Sequence, residues 1–117
     1  MVDKIKRGKE GENLAANFLT SAGYQVIDRN YRYKRSEVDL IAVKNKVLVF
    51  VEVKTRGSHA FGYPEEFVDE KKAAKVLEGA EQYMIEKDWQ GDVRYDIISI
   101  SMLGEEVEIK HFKDAFH

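Results

Sequence analysis

The chain has no cysteine and only one proline in 117 residues. Without thiols, neither a disulfide framework nor a thiolate metal site can form, and nothing points to an oxidising compartment. No apolar run approaches a membrane span, and the basic stretch "MVDKIKRGKEGEN" is not followed by the apolar segment of a signal peptide. A soluble, cytoplasmic protein without a membrane partner is expected. Charge of one sign is lacking too. The 19 basic and 21 acidic residues leave a net charge of −2, so affinity for nucleic acid would have to come from a local patch.

What is present suits one domain spanning residues 1–117. A chain this long, 44% hydrophobic, can bury roughly two thirds of its unfolded surface around a single core. There are no repeats, no low-complexity segments and no linker. Leu14, Ala15, Phe18, Leu19 and Ala22 recur at helical spacing between about Lys9 and Ala22, and Gly23 supplies a left-handed stop. "YQVIDRNYRY" (24–33), "EVDLIAV" (37–43) and "VLVFVEVKT" (47–55) read as strands, with Lys44, Asn45 and Lys46 available for the last turn. "RGSHAFGYP" (56–64) reads as a loop. Asp69 is a candidate N-cap for a second helix with the stripe Ala73, Val76, Leu77, Ala80, Tyr83 and Met84. "VRYDIISIS" and "EVEIKHF" close the chain as a hairpin around Gly104. The order αβββαββ predicts an α/β fold, a mixed central sheet flanked by helices.

One strand carries an anomaly. In "VLVFVEVKTR", Glu52 and Lys54 continue the face of Leu48 and Phe50 in a strand apolar on both sides and therefore central. With 13 glutamates and 13 lysines, Glu-x-Lys triplets arise by chance, and the pairs Glu70/Lys72 and Glu108/Lys110 look like solvated surface. Charges in a central strand are costly unless they meet a partner, a metal or water in a cleft. Asp39 interrupts the neighbouring strand. A loop of two or four residues sets it opposite Glu52, whereas a loop of three turns it to the other face; the even register is favoured because Asn45 suits a two-residue turn. Glu12, one helical turn before Ala15 and Ala16, shares their inward side and can join the cluster.

Such a cluster has a chemical use. Carboxylates held close together repel one another, a divalent cation resolves this, and oxygen-only ligands suit Mg²⁺ or Mn²⁺. Beside such an ion, Lys54 could orient or deprotonate an attacking water, or neutralise charge growing on a phosphoryl group. The competing interpretation is an ion pair at a strand end. Basic residues interleaved with aromatics in "RNYRYKR" (29–35) make Arg32, Lys34 and Arg35 candidate phosphate contacts, with Arg29 weaker; a solvated strand edge explains them equally well. Lys4, Lys6, Arg7 and Lys9 form a second basic group. Arg56 and Lys72 are further phosphate candidates, His59 a weaker one. His111 and His117 receive no role, and Arg94 and Asp96, on one strand face, are expected to pair.

Asp39 followed by "VEVK" at the end of an apolar strand, after a helix bearing Glu12, resembles the PD-(D/E)xK nuclease superfamily, whose restriction-endonuclease-like core is αβββαβ. Over nearly the whole chain, "GKEGENLAANFLTSAGYQVIDRNYR", "SEVDLIAV", "VFVEVKTR", the Val68 to Lys72 spacing, "RYDIISI" and the terminal "AF" look like the bacterial YraN-type proteins, themselves similar to archaeal Holliday junction resolvases. By that resemblance Asp39 and Glu52 are metal ligands together with the Val53 carbonyl, Lys54 is the catalytic lysine and Glu12 an outer carboxylate. It also implies an endonuclease acting on DNA more readily than RNA, at branched structures, as a homodimer, because junction cutters of this type need two active sites. Ser36 departs from the pattern, which usually has glycine before "EVDL". A nucleic-acid-binding module of the same fold that does not cut, and a partner-binding protein with an ion-paired strand end, are the competing functions.

Overall fold

Helix α1 (Lys4–Ser21) starts earlier than its apolar stripe, because Lys, Arg and Glu have high intrinsic helix propensity. Strands β1 (Gln25–Tyr33), β2 (Ser36–Lys44) and β3 (Val47–Arg56) follow, then helix α2 (Glu70–Lys87) and strands β4 (Asp92–Leu103) and β5 (Glu106–Phe112). This computed structural model describes residues 4–56 and 70–116. The 57–64 part of the expected loop, His59, the Val68 spacing, the Asp69 cap and His117 lie outside the described residues, as do the side chains of Lys4, Lys6 and Arg7. No helix among the described residues is long and apolar enough to cross a membrane.

The five strands form one sheet in the order β1-β2-β3-β4-β5. Only β3 and β4 pair in parallel, as the crossover through α2 requires, and the remaining neighbours are antiparallel. The expected mixed α/β sheet with helices on it is therefore what the chain builds. Each helix covers one face. Ala15, Ala16 and Leu19 of α1 pack on Leu40, Ala42, Val49, Val51, Ile98 and Ile100. Val76, Ala80 and Tyr83 of α2 pack on Val38, Ile41, Leu48, Phe50 and Ile97, joined by Phe116. β3 alternates between the two cores, Leu48 and Phe50 on one side and Val49 and Val51 on the other, which makes it the central strand.

Turn chemistry fixes the register. Asn45 and Lys46 adopt φ of 51° and 64°, so the β2–β3 connection is a two-residue turn with both central residues left-handed, the form that matches strand twist. Pairing then runs from Lys44 opposite Val47 to Leu40 opposite Val51, the even register. Gly23, at φ 91°, ends α1 as expected. Ser36 pairs with Tyr33 and is not among the left-handed residues; Lys34 is, at φ 55°. A side chain at position 36 thus meets no backbone strain, since the left-handed residue lies two positions earlier.

The close seat of α1 on β3 depends on Gly11, where a Cβ would overlap the Thr55 hydroxyl and stand 3.0 Å from Thr55 Cβ. Gly11→Ala is expected to lower stability by about 1–3 kcal/mol in urea unfolding. Adding Thr55→Ala should recover much of that loss. An unchanged midpoint in the single variant would mean that the helix is not held this close.

Candidate active site

β2 and β3 part beyond Leu40 and Val51, and the parting places the acidic residues. The Val53 amide donates to Asp39 Oδ2 at 2.8 Å, so a side-chain carboxylate takes a main-chain donor at the point where the ladder ends. Val38 and Leu40 lie in opposite cores although residues two apart in a strand should share a face, so β2 changes sides around Asp39. β1 breaks at the same level. Asn30 has φ 52°; before it, Arg29 donates to Asn13 of α1, and after it, Tyr31 stands edge-on to Tyr83 of α2. Asn30 itself donates to Glu12 Oε1 at 3.0 Å.

Glu52 lies on the α2 side, following Phe50, and is buried at 5% exposure. Its Oε1 meets two ammonium groups. Lys54 Nζ is 3.7 Å away and Lys72 Nζ, from the first turn of α2, only 2.7 Å. The closer partner is therefore the helix lysine, and Lys72 is not the solvated surface residue that its own Glu-x-Lys triplet suggests. Glu70 and the Glu108/Lys110 pair do lie exposed. Asp39, Glu52, Lys72, Arg35, Glu37, Lys71, Lys75 and Val76 line a cleft of about 470 Å³ between the β1–β2 turn and α2. Lys71 and Lys75 escaped notice in the sequence. For Lys75 the signal was there, since it immediately precedes Val76 of the buried stripe; for Lys71 it was its place next to Lys72.

Electrostatics set Asp39 apart. Burial, reinforced by the negative charge of Glu52 and, more weakly, of Glu12, pushes its carboxyl up to about 7 against the opposing pull of the Val53 amide. Burial and the neighbouring Lys72 hold the Lys54 ammonium below the ordinary lysine range. Burial, the largest single influence, would lower Lys72 as well, but its bond to Glu52, its contact with Lys54 and the negative charges of Glu52 and Asp39 together outweigh it and raise it. Ser99 sits beside Lys54 on β4, fully buried, and its hydroxyl finds no hydrogen-bond partner among the described residues. A buried hydroxyl in that position is costly and suits a water or an incoming polar atom.

Other candidates are dispersed. Glu12 bonds Asn30, and among the described residues no three His, Cys, Asp or Glu side chains come close enough together to hold a metal ion. Arg32 pairs with Glu37 at 3.4 Å, and Lys34 lies over the Tyr33 ring at 5.2 Å. Of "RNYRYKR", only Arg35 lines the cleft. Arg56 ends β3 opposite Ser101. Arg94 and Asp96 pair as expected at 2.8 Å, and His111, given no role, joins them through Nε2, 2.7 Å from Asp96 Oδ2.

Residues 11–100, which include Glu12, Asp39, Glu52, Lys54 and Lys72, match the model of the uncharacterised protein family UPF0102. The chain belongs to that family. It is similar to a UPF0102 protein of Cytophaga hutchinsonii, 42% identical over 97% of this chain and 98% of the relative. It is also 43% identical to one from Persephonella marina, over 94% and 92% of the two chains. A third, from Flavobacterium psychrophilum, is 40% identical over 100% and 98%. The YraN-type resemblance thus holds at the level of the family.

The charge balance in this UPF0102 protein has a measurable consequence. An acid whose folded pKa is raised destabilises the fold once the pH passes its unfolded value, and the cost grows until the folded value is reached. For Asp39 that window runs from about 3.8 to about 7. Asp39→Asn keeps an acceptor for the Val53 amide but carries no charge. In EDTA its melting temperature should rise relative to wild type between about pH 4 and about pH 7, then level off. A difference that stays flat with pH would show that Asp39 ionises without cost.

Proposed function

We propose that this protein is a metal-dependent endonuclease of the PD-(D/E)xK type, hydrolysing phosphodiester bonds in DNA, with branched structures the favoured substrate. The observation that carries the reading is the meeting of Asp39 and Glu52, from two strands, in one cleft with Lys54 beside them. Asp39, its carboxyl pushed up by burial and by the charge of Glu52, is placed at a cost to stability, and a perturbed group in a cleft marks a functional site. Their oxygen-only donor set, with the Val53 carbonyl as third ligand and Glu12 outside, fits Mg²⁺ or Mn²⁺, which retain waters. A divalent ion held there would supply Lewis-acid stabilisation of the phosphoryl oxygens.

The chain's own groups account for the rest of the task. Asp39 and Glu52 hold the negative side of the site, with Asp39 oriented by the Val53 amide. Lys54, beside Glu52, would orient the attacking water, take its proton, or donate to a phosphoryl oxygen as charge grows there. Arg35, Lys71, Lys72 and Lys75 line the cleft and would hold the backbone phosphates without reading sequence. Arg32, Lys34 and Arg56 would contribute at most to the outer field.

The 2.7 Å contact of Lys72 with Glu52 favours a second reading, an ion-paired strand end without catalysis. Incubation with branched, nicked and linear DNA in Mg²⁺, Mn²⁺ or EDTA separates the two. Metal-dependent products, lost by roughly hundredfold or more in Lys54→Ala, are expected. Binding that falls steeply with salt but yields no products would point to a binding module instead. Neither products nor binding would leave the ion pair.

A further inference from the structure

Lys72 stands where a metal-binding carboxylate would have to open. Glu52 has a side chain only 6% exposed and few directions in which to turn, and its Oε1 is already engaged by Lys72 at 2.7 Å. Lys54, the other cation on that oxygen, is farther away at 3.7 Å and comes from the same strand, two residues on. Lys72 arrives from another element, and its side chain is 39% exposed, so its outer part reaches water. A lysine stem can swing while its charged head stays solvated.

Counting charges gives the reason for such a swing. Two carboxylates, Asp39 and Glu52, face two ammonium groups, Lys54 and Lys72, so with all four ionised the set is neutral without any metal. A divalent cation that shares Glu52 with both lysines would leave the site strongly positive, and hard cations and ammonium groups compete for the same carboxylate oxygens. Lys71, Lys75 and Arg35 line the same cleft, so a displaced Lys72 would join an already cationic wall.

We propose that Lys72 is the built-in counter-cation of this site: it occupies Glu52 in the metal-free protein, competes with the divalent ion for that carboxylate, and on displacement turns to the cleft wall to meet substrate phosphate. This rests on the metal-dependent reading above and adds an order to it. The site becomes more attractive to a polyanion once the ion has entered, because until then the charge of Lys72 is held on Glu52 and only Arg35, Lys71 and Lys75 face the cleft. Lys72 is therefore a positioning residue for the metal and a phosphate contact afterwards.

The test uses the full chain with Mn²⁺ as probe, by titration calorimetry and by thermal melts in EDTA and in Mn²⁺. Lys72→Gln, with Lys72→Met as a second variant should the first not fold, is expected to melt lower than wild type in EDTA. The same variant should bind Mn²⁺ roughly three- to tenfold more tightly, the equivalent of losing one partly exposed ion pair. A structural role would lower stability without tightening the metal. Lys72→Arg, which can still pair with Glu52, should stay near wild-type affinity. Lys75→Gln, which removes a cleft charge not paired with Glu52, should stay within about twofold. Unchanged Mn²⁺ affinity in Lys72→Gln would overturn the proposal, as would equal tightening in Lys75→Gln, which would reduce the effect to the general field. Absence of Mn²⁺ binding in wild type and Lys72→Gln alike would overturn the metal reading itself.

Discussion

The hydrogen bond from the Val53 amide to the Asp39 carboxylate does two things that elsewhere in a sheet are done separately. It satisfies a main-chain donor at the point where β2 stops pairing with β3, and it orients an acid against the buried Glu52. Without it, a partly buried amide would be left without this partner, a loss at the lower end of the roughly 1–3 kcal/mol that a fully buried unpaired donor costs. The parting of the strands and the placing of the acid are thus one event. The change of sides between Val38 and Leu40 belongs to it, as does the break in β1 at Asn30, whose amide holds Glu12.

Compensation comes from the α2 side. Lys54 is carried by β3 itself, but the shorter contact to Glu52 is made by Lys72. Lys72 lies four residues before Val76, whose burial against the sheet fixes the rotation of the helix. The helix that completes the core therefore also delivers the cation. This alters what a neutralised Glu52 would mean. With two ammonium groups resting on it, Glu52→Gln would leave both without their counter-charge whether or not a metal ever binds, so a loss of stability in that variant cannot separate a structural pair from a catalytic one. Metal affinity and stability moving in opposite directions can.

Much of this was legible in the sequence, and the part that was not has a physical reason. Asn45 announced the two-residue turn, the turn announced the even register, and β3 announced its central place through "VLVFV". Those signals are local, or follow from strict alternation. Alternation is also what fails at Asp39: the change of sides depends on two strands breaking at one level, and single-strand periodicity cannot register that. The basic segment 29–35 is divided for a related reason. Read as one strand it is one patch, but the left-handed Asn30 and the turn at Lys34 send Arg29 to α1, Arg32 to Glu37, and Arg35 to the cleft. Lys72 was visible as a phosphate candidate, yet its partner lies on β3, beyond any local spacing.

A second buried acid shows what a purely structural carboxylate looks like in this protein. Asp96 is fully buried on β4, and burial alone would raise its pKa, but His111, both Arg94 nitrogens that reach it, and the Asp114 amide all meet it and hold it below the ordinary range. Those contacts fasten β4, the end of β5 and the segment after it together, beside the Ala115 to Tyr95 main-chain bond and the seat of Phe116 on Tyr95. Asp39 is treated in the opposite way. It has one main-chain donor, a second carboxylate beside it and a pKa pushed up, although the same chain can surround an acid with donors when stability is the purpose. The contrast isolates the feature a structural account of Asp39 would have to explain: its neighbours make its charged form costly, and the nearest lysines attend to Glu52. A ligand that brings positive charge into the cleft removes that cost, and a fold that leaves the cost in place gains by binding one.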